Sequence, residues 1–246
     1  MSAFPPTTRP PTPVNPGVAA AAQLIADPAR ANMLMALVDG RARPAGELAY
    51  AAGVTPQTAS SHLAKLLDGG MLTVETEGRH RYFRLAGAHV AQVLEQLAAI
   101  GPQAAVRRKP LSRDARQFCF ARCCYDHLAG RLGVAVTKAL QQRALILPAP
   151  EKRFEVTPEG HDWFAGLGLD VSALRPTRRG LARQCLDWTE REHHLAGPLG
   201  VQFLGLLCDK GWLRRSATSR AVEVTPQGWA GLKERLDVAP GLDEAA

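Results

Sequence analysis

The chain has 246 residues, a formal net charge of +7 and a sequence pI near 9.5. This length allows more than one domain, since domains commonly hold about 100–200 residues, and the basic balance suits a polyanionic partner. No apolar run approaches the ~18 residues of a membrane span, so we expect no membrane partner. The N-terminus lacks the pattern of a signal peptide, and five cysteines without an export signal indicate reduced thiols in a cytoplasmic protein.

The first segment, 1–16, carries six of the eighteen prolines and almost no large apolar side chains. Such a segment cannot bury enough surface to fold, so we expect a disordered tail. Two apolar-striped helices are predicted next, over 17–26 and 28–37. Asp27 is placed to cap the second of them, and Pro28 suits its first position, where no N–H partner is needed.

The stretch 44–85 has the spacing of a helix, a tight turn and a second helix. A short helix is predicted over 44–52, and Gly53 ends it where a left-handed residue is wanted. Thr55 is placed to cap the next helix, and Pro56 begins it. An apolar stripe recurs along this second helix at three-to-four spacing, formed by Ala59, Leu63, Leu66 and Leu67.

The remaining faces of the second helix are short and polar, and they carry Gln57, Thr58, Ser60, Ser61, His62 and Lys65. A solvated helix tends to carry Glu and Lys, whereas Gln, Ser, Thr and His can bond base edges and phosphates in a DNA major groove. Two β-prone runs follow, over 71–76 and 80–85, and they predict a hairpin with Arg79 at its basic tip and Arg81 beside it. The stretch therefore predicts a helix-turn-helix with a wing that binds double-stranded DNA.

Five blocks of this region form a recognisable pattern: Glu47-Leu48-Ala49, Gly53-Val54, Thr58-Ala59-Ser60-Ser61-His62-Leu63, Gly70-Met71-Leu72 and Gly78-Arg79-His80-Arg81-Tyr82. Together they resemble the winged-helix repressors of the ArsR family, over about residues 20–100. The resemblance implies a homodimer whose second motif helix enters the major groove. It also implies that Arg79 and Arg81 on the wing contact the flanking backbone or minor groove.

A further helix is predicted over 89–100, more apolar on one face than a solvated helix needs. The ArsR resemblance implies that this helix pairs with the first one to form the dimer interface. In a two-fold dimer the second motif helices of the two protomers lie about 34 Å apart and bind an inverted-repeat operator.

Beyond a basic linker at 105–114, the second half of the chain repeats itself. The motif Arg122-Cys123-Cys124-Tyr125-Asp126-His127-Leu128-Ala129-Gly130 is echoed by Arg183-Gln184-Cys185-Leu186-Asp187, a six-residue insertion and His194-Leu195-Ala196-Gly197. Each copy is predicted to contain a helix entered near the Asp, a β-hairpin (144–147 with 153–156; 212–215 with 221–224) and a final helix capped by Thr157 or Thr225.

The predicted domains are therefore a winged helix-turn-helix at 17–104 and two tandem winged-helix-like repeats at 115–177 and 178–240. The fold class is mainly α with small β wings (α+β). Neither repeat shows a Gly-Val-Thr turn followed by a polar helix, so we expect no base reading from the repeats.

Eight residues of the repeats are candidates for binding an effector: Cys119, Cys123, Cys124, Asp126, His127, Cys185, His193 and His194. Positions shared by the copies, such as Cys124 and Cys185, favour a role in the common fold, and the functional interpretation is a site at matching places. Cys119 and Cys123 are one turn apart on a predicted helix and could meet His127 as soft ligands for Zn(II), Cu(I) or As(III). Buried cysteines that act as small apolar residues are the alternative.

The family's usual metal sites are missing, because the first motif helix has no Cys and the last helix offers only His89 and Glu95. The effector is left open between a thiophilic metal ion, a redox signal that acts on an exposed thiol of lowered pKa, and a small organic molecule in an aromatic-lined pocket, with Arg122 and Arg183 holding an anion. No nucleotide-loop, metal-hydrolase or nucleophile-elbow pattern is present, so we expect no enzyme.

The sequence thus predicts a homodimeric transcriptional repressor that an effector, bound by the second half, releases from its operator. The alternative is a tandem winged-helix scaffold that docks proteins and binds DNA only non-specifically.

Overall fold

The computed structural model describes residues 17–77, 80–101 and 112–241. They form two compact units, one of residues 17–37 and 42–86, the other of residues 38–41 and 87–241. The boundary after residue 86 differs from the predicted boundary at 104. The helix over Ala88–Ile100 belongs to the second unit, because its buried Glu95 bonds Trp188 and Arg220 there. None of the helices in these ranges has the length and apolar character that crossing a bilayer requires.

The first unit combines helices with a three-stranded antiparallel sheet of order β1-β3-β2. Its elements are α1 (Gly17–Ala26), α2 (Pro28–Ala36), β1 (Arg43–Pro44), α3 (Ala45–Ala52), α4 (Pro56–Asp68), β2 (Leu72–Glu77) and β3 (His80–Leu85). The predicted helices and the wing hairpin are confirmed, and the short strand β1 was not predicted. The predictions for 1–16, for Gly78-Arg79 and for most of the linker concern residues outside the described ranges.

Local signals explain where α2, α3 and α4 begin and end. The Asp27 side chain accepts a hydrogen bond from the backbone N–H of Arg30, and the Thr55 side chain accepts one from that of Thr58. Gly53 ends α3 in the left-handed conformation, with a φ of 66°. These caps satisfy N–H groups that have no partner inside the helix. The apolar stripe of α4 is buried at Ala59, Leu63 and Leu66.

The second unit contains the duplicated half of the chain. Its elements are α5 (Ala88–Ile100), α6 (Arg113–Phe120), β4 (Arg122–Cys124), β5 (His127–Ala129), α7 (Gly130–Gln142), β6 (Ile146–Ala149), β7 (Arg153–Val156), α8 (Pro158–Leu167), a 3-10 turn (Val171–Ala173), β8 (Ala182–Leu186), β9 (His193–Ala196), α9 (Gly197–Asp209), β10 (Leu213–Arg215), β11 (Val222–Val224) and α10 (Pro226–Leu236). Each copy therefore has the order ββαββα.

The helices predicted to begin near Asp126 and Asp187 are wrong, because both positions lie in the connections of β-hairpins. The helices α7 and α9 begin only at Gly130 and Gly197, each with a φ of 79°. A Cβ at these glycines would lie 2.6 Å from the Cys119 carbonyl oxygen and 2.8 Å from that of Leu181. Glycine is therefore required at the strand-to-helix corner of each copy.

The two copies are interleaved and do not form separate tandem winged helices. The second hairpin of the first copy joins the first hairpin of the second copy in one sheet of order β6-β7-β8-β9. The other two hairpins stay separate sheets, and one isolated bridge links Arg122 of β4 to Ala221, the residue before β11. One apolar core contains residues of both copies, including Leu132 and Phe164 from the first and Leu199 from the second. The two copies thus share one four-stranded sheet and one core.

The Thr-Pro-x-Gly sequence at the start of α8 and α10 packs against backbone. The two glycines of α8 should therefore differ in how an alanine substitution changes stability. A Cβ at Gly160 would lie 2.1 Å from the Leu145 carbonyl oxygen, whereas nothing lies within 4 Å of one at Gly166 on the same helix. We expect Gly160→Ala to lower the free energy of unfolding by about 1–3 kcal/mol. Gly166→Ala should raise it by about 0.5–1 kcal/mol, because alanine is the better helix former. Urea unfolding measures both, and equal midpoints would contradict the prediction.

Candidate functional site

The exposed face of α4 carries most of the predicted DNA-binding residues. The exposed ones are Gln57, Thr58, Ser60, Ser61 and Lys65. His62 differs from them, because it is half-buried and its Nδ1 lies 3.9 Å from a carboxylate oxygen of Asp27. The structure therefore places His62 against α2, within the first unit.

Hydrogen bonds further distinguish the exposed side chains of α4. The Ser60 hydroxyl donates to the Pro56 carbonyl at 2.9 Å, and the Thr58 hydroxyl lies 2.9 Å from that of Thr55. Gln57, Ser61 and Lys65 follow one another at intervals of four residues, so they form one exposed stripe along the helix. This stripe is the part of α4 best placed to contact a groove.

The wing presents cationic side chains on β3. Arg81 is exposed, and its guanidinium lies 5.3 Å from the centre of the Phe83 ring. The Phe83 side chain itself is buried in the first unit. Arg84 pairs with Glu75 across the hairpin at 3.1 Å. Arg79 lies outside the described residues. Of the two predicted wing contacts, the structure therefore describes Arg81 alone.

The second site is a cluster of two cysteines and two histidines, named here the Cys-His cluster: Cys124, His127, Cys185 and His194. Cys124 is the cross-strand partner of His127 in the hairpin β4-β5, and Cys185 is that of His194 in β8-β9. One donor atom from each residue lies within 4.8 Å of the others. Each copy of the repeat thus supplies one Cys-His pair, and the interleaving brings the two pairs together.

The predicted trio of Cys119, Cys123 and His127 on one helical face is wrong. α6 ends at Phe120, so Cys119 lies on a helix while Cys123 lies on β4. Successive side chains of a strand point to opposite faces, and Cys123 packs into the apolar core while its neighbour Cys124 joins the cluster. His193 is separated from His194 by the same alternation and is exposed at the start of β9.

A carboxylate accompanies each histidine of the Cys-His cluster. Asp126 lies 2.9 Å from Nδ1 of His127, and Asp187 lies 3.4 Å from Nδ1 of His194. The Nε2 atoms of the two rings face each other at 3.1 Å. The repeated Cys, Asp and His positions therefore converge in space, despite the six-residue insertion before His194.

Asp187 is also the centre of a buried ion-pair network. Its carboxylate accepts from the Arg122 guanidinium at 2.8 Å, from the backbone N–H of Gly130 at 2.7 Å and from the Thr189 hydroxyl at 2.7 Å. Burial alone would raise the pKa of Asp187, but the charges of Arg122 and His194 hold it below its usual range. Arg122 and Asp187 are each 1% exposed, so each neutralises a charge that water cannot reach.

The ionisable groups of the cluster perturb one another. Burial disfavours the charged form of His127, yet hydrogen bonds with Asp126 and Cys124 raise its pKa to about 9. A hydrogen bond with Cys185, together with burial, raises the pKa of the Cys124 thiol to about 12, and the same bond lowers the pKa of Cys185. Cys185 is therefore the more acidic of the two thiols.

A buried carboxylate on α5 contacts the cluster. Glu95 accepts a hydrogen bond from the Cys124 thiol at 3.8 Å, from the Trp188 indole at 3.3 Å and from the Arg220 guanidinium at 2.6 Å. The sequence indicated Glu95 only as one of two polar residues on the last helix, and it gave no signal for Arg220. Arg220 lies in the connection between β10 and β11 and belongs to no motif. Helix α5 is thereby joined to the site through side chains of the second unit.

A cavity of about 610 Å³ reaches the Cys-His cluster from the surface of the second unit. Its lining includes Cys124, His127 and Cys185 together with the cationic Arg179 and Arg183. The predicted pairing of Arg122 with Arg183 as anion holders is not observed, because Arg122 is buried on Asp187 and only Arg183 lines the cavity.

Comparison with known proteins agrees with this architecture. A family described as a helix-turn-helix domain matches residues 25–75. The uncharacterized HTH-type transcriptional regulator YdfF of Bacillus subtilis is 44% identical over 225 residues, which are 92% of this chain and 99% of YdfF. The HTH-type transcriptional regulator CmtR of Mycobacterium tuberculosis is 38% identical over 76 residues, 31% of this chain and 64% of CmtR.

Among solved structures, the NMR structure of the cadmium metal-sensor CmtR of M. tuberculosis aligns with 39% of this chain and 98% of its own, at 32% identity and a TM-score of 0.30. The match to YdfF extends through both units, so the duplicated half is shared with that relative. The chain belongs to the HTH-type (helix-turn-helix) transcriptional regulators.

Proposed function

We propose that the protein is a homodimeric repressor in the cytoplasm that binds an inverted-repeat operator and is released by an effector bound in the second unit. The observation that carries the proposal is the exposed polar face of α4, with Gln57, Ser61 and Lys65 in one stripe. The other proposed DNA contacts are Thr58, Ser60, His62, Arg79 and Arg81.

The residue types on α4 suit the chemistry of a major groove. A glutamine amide can bond adenine N6 and N7 together, and a serine hydroxyl can donate to or accept from several base edges. Lys65 and Arg81 supply charge for phosphates, which adds affinity without sequence preference. His62 is half-buried, so within this proposal it orients α4 through Asp27 and contributes less directly to base contact.

A self-complementary dimer needs an apolar surface on each protomer, and α5 offers one. Val93, Leu97 and Ile100 are 51%, 42% and 78% exposed, and they follow one another at three-to-four spacing on one face of the helix. The same helix is the dimer helix implied by the ArsR resemblance. Burying this face against a second copy would remove it from water, which is favourable for association.

Two α4 variants test DNA recognition. We expect Gln57→Ala with Ser61→Ala to weaken binding to a duplex from the chain's own promoter by tenfold or more, because each good base contact contributes about 1–3 kcal/mol. Binding to a random duplex should change little. Lys65→Ala should weaken binding to both duplexes, and it should reduce the slope of log affinity against log salt concentration by about one. Fluorescence anisotropy at several salt concentrations measures all of these quantities.

Two outcomes would contradict the proposal. Unchanged promoter affinity in the double variant would show that α4 does not recognise the operator sequence. Equal wild-type affinities for promoter and random duplex at matched salt would instead favour the interaction scaffold with non-specific DNA binding.

The dimer is tested by one charge placed on α5. We expect Leu97→Glu to dissociate the dimer, because two carboxylates would be buried near the two-fold axis without partners. Ala88→Glu adds the same charge at an exposed position on another face of α5 and should leave the dimer intact. Sedimentation velocity measures the mass of each variant, and a dimeric Leu97→Glu protein would contradict the assigned interface.

A further inference from the structure

We propose that Cys124, His127, Cys185 and His194 form a tetrahedral site for one thiophilic divalent metal ion of the Zn(II) class. The site lies within the second unit, at the junction of the two copies. It goes beyond the proposed function, because it would exist whether or not α4 reads an operator.

The first argument is the spacing of the donor atoms. A tetrahedral zinc shell has Zn–N distances of about 2.0–2.1 Å and Zn–S distances of about 2.3 Å, which place neighbouring donors about 3.3–3.8 Å apart. The four donors of the Cys-His cluster all lie within 4.8 Å of one another, and the two Nε2 atoms lie 3.1 Å apart. Shifts of an ångström or less would bring all four around one ion.

The second argument is the orientation of the histidine rings. Asp126 and Asp187 face the Nδ1 atoms of His127 and His194, which favours a proton on each Nδ1 and turns each Nε2 toward the other ring, where it binds a metal ion once its own proton is displaced. The two Nε2 atoms lie within hydrogen-bond distance at 3.1 Å, and a metal ion bound by both would replace the proton that they share. A carboxylate behind each ligating histidine is also the usual arrangement at protein metal sites.

The third argument is the chemistry of the donor set. Two thiolates balance the charge of a divalent ion, and two neutral imidazoles complete the four donors of a closed tetrahedral shell. Sulfur and imidazole ligands select zinc-like metals over Mg²⁺ and Ca²⁺, which prefer oxygen. Because protein side chains fill all four positions, the site suits a structural or sensing role and leaves no position for an activated water.

The fourth argument is the duplication itself. A Cβ at Gly133 would lie 3.6 Å from Cβ of His194, and one at Gly200 would lie 3.4 Å from Cβ of His127. The helix of each copy therefore packs against the histidine of the other at ordinary van der Waals distance. Neither copy holds more than two of the four ligands, so an ion bound here would join the copies across their junction.

The test uses the full chain, stripped with a chelator, kept reduced, and titrated with Co(II) and then with Zn(II). We expect one ion per chain by native mass spectrometry, with the visible absorption of tetrahedral Co(II) bound to thiolate, displaced by Zn(II). Cys185→Ser should lose the Co(II) spectrum and the bound ion. Cys119→Ser is the matched control, because Cys119 is also half-buried but lies outside the cluster, and it should retain both.

Folding of each variant is checked by circular dichroism and tryptophan fluorescence. His127→Gln provides a second variant if Cys185→Ser does not fold, and it should also lose the ion. Three outcomes would overturn the proposal: no uptake by the reduced wild-type protein, equal uptake by Cys185→Ser and wild type, or loss of uptake in Cys119→Ser alone. Formation of a Cys124–Cys185 disulfide without any metal uptake would likewise overturn the proposal, because the two thiols would then form a redox pair.

Discussion

Replacing Arg122 with methionine should lower the free energy of unfolding of the second unit by about 3–5 kcal/mol. Arg122 and Asp187 are both 1% exposed, and their charges meet at 2.8 Å. Methionine fills most of the space beside the rings of Phe118 and Trp188, so the loss comes mainly from the carboxylate of Asp187, which stays buried without its cation. Breaking a buried pair by removing one partner is among the most destabilising single changes.

The duplication provides the control. Arg183 occupies the matching position in the second copy, but it is half-buried and lines the open cavity. We expect Arg183→Met to change stability by less than about 1 kcal/mol, as is usual for partly solvated charges. All four tryptophans lie between residues 163 and 229, so urea unfolding followed by their fluorescence reports the second unit. Equal losses in the two variants would contradict the assigned role of the buried pair.

Zinc should stabilise the second unit by about 4 kcal/mol when its free concentration is a thousand times the dissociation constant. The reason is linkage, since an ion that binds only the folded chain shifts the unfolding equilibrium. The measurement compares urea midpoints of reduced protein in Zn(II) and in chelator. Wild type and Cys119→Ser should shift alike, and Cys185→Ser should not shift.

This stability measurement separates the metal site from general metal binding. A shift retained by Cys185→Ser would mean that Zn(II) stabilises the chain elsewhere. An absent shift in wild type, at a concentration where native mass spectrometry shows one bound ion, would mean that the folded and unfolded chains bind the ion equally.

The first unit could be predicted closely because its signals are local. The cap at Thr55, the left-handed Gly53 and the buried stripe of α4 each depend on residues a few positions apart. Strand β1 could not be predicted, because its two residues pair with β3 and only tertiary structure brings them together. The half-buried position of His62 likewise depends on Asp27, which lies on another element.

The second unit was predicted less well, for a physical reason. Strands β4 and β5 have three residues each, too few for an alternating pattern to be distinguished from a helical one. Assigning a helix there moved Cys123 into the predicted site and separated Cys124 from His127. The repeat did identify Cys124, Cys185, His127 and His194 as matching positions, but it could not show that the two copies interleave.

The joint sheet and core have a consequence for the symmetry of the second unit. One hairpin of each copy lies in the four-stranded sheet, and each copy supplies one Cys-His pair to the cluster. The two copies are nonetheless not equivalent there: Asp187 is buried on Arg122, whereas its counterpart Asp126 is half in water. The Cys-His cluster therefore has one fixed side and one solvent-facing side.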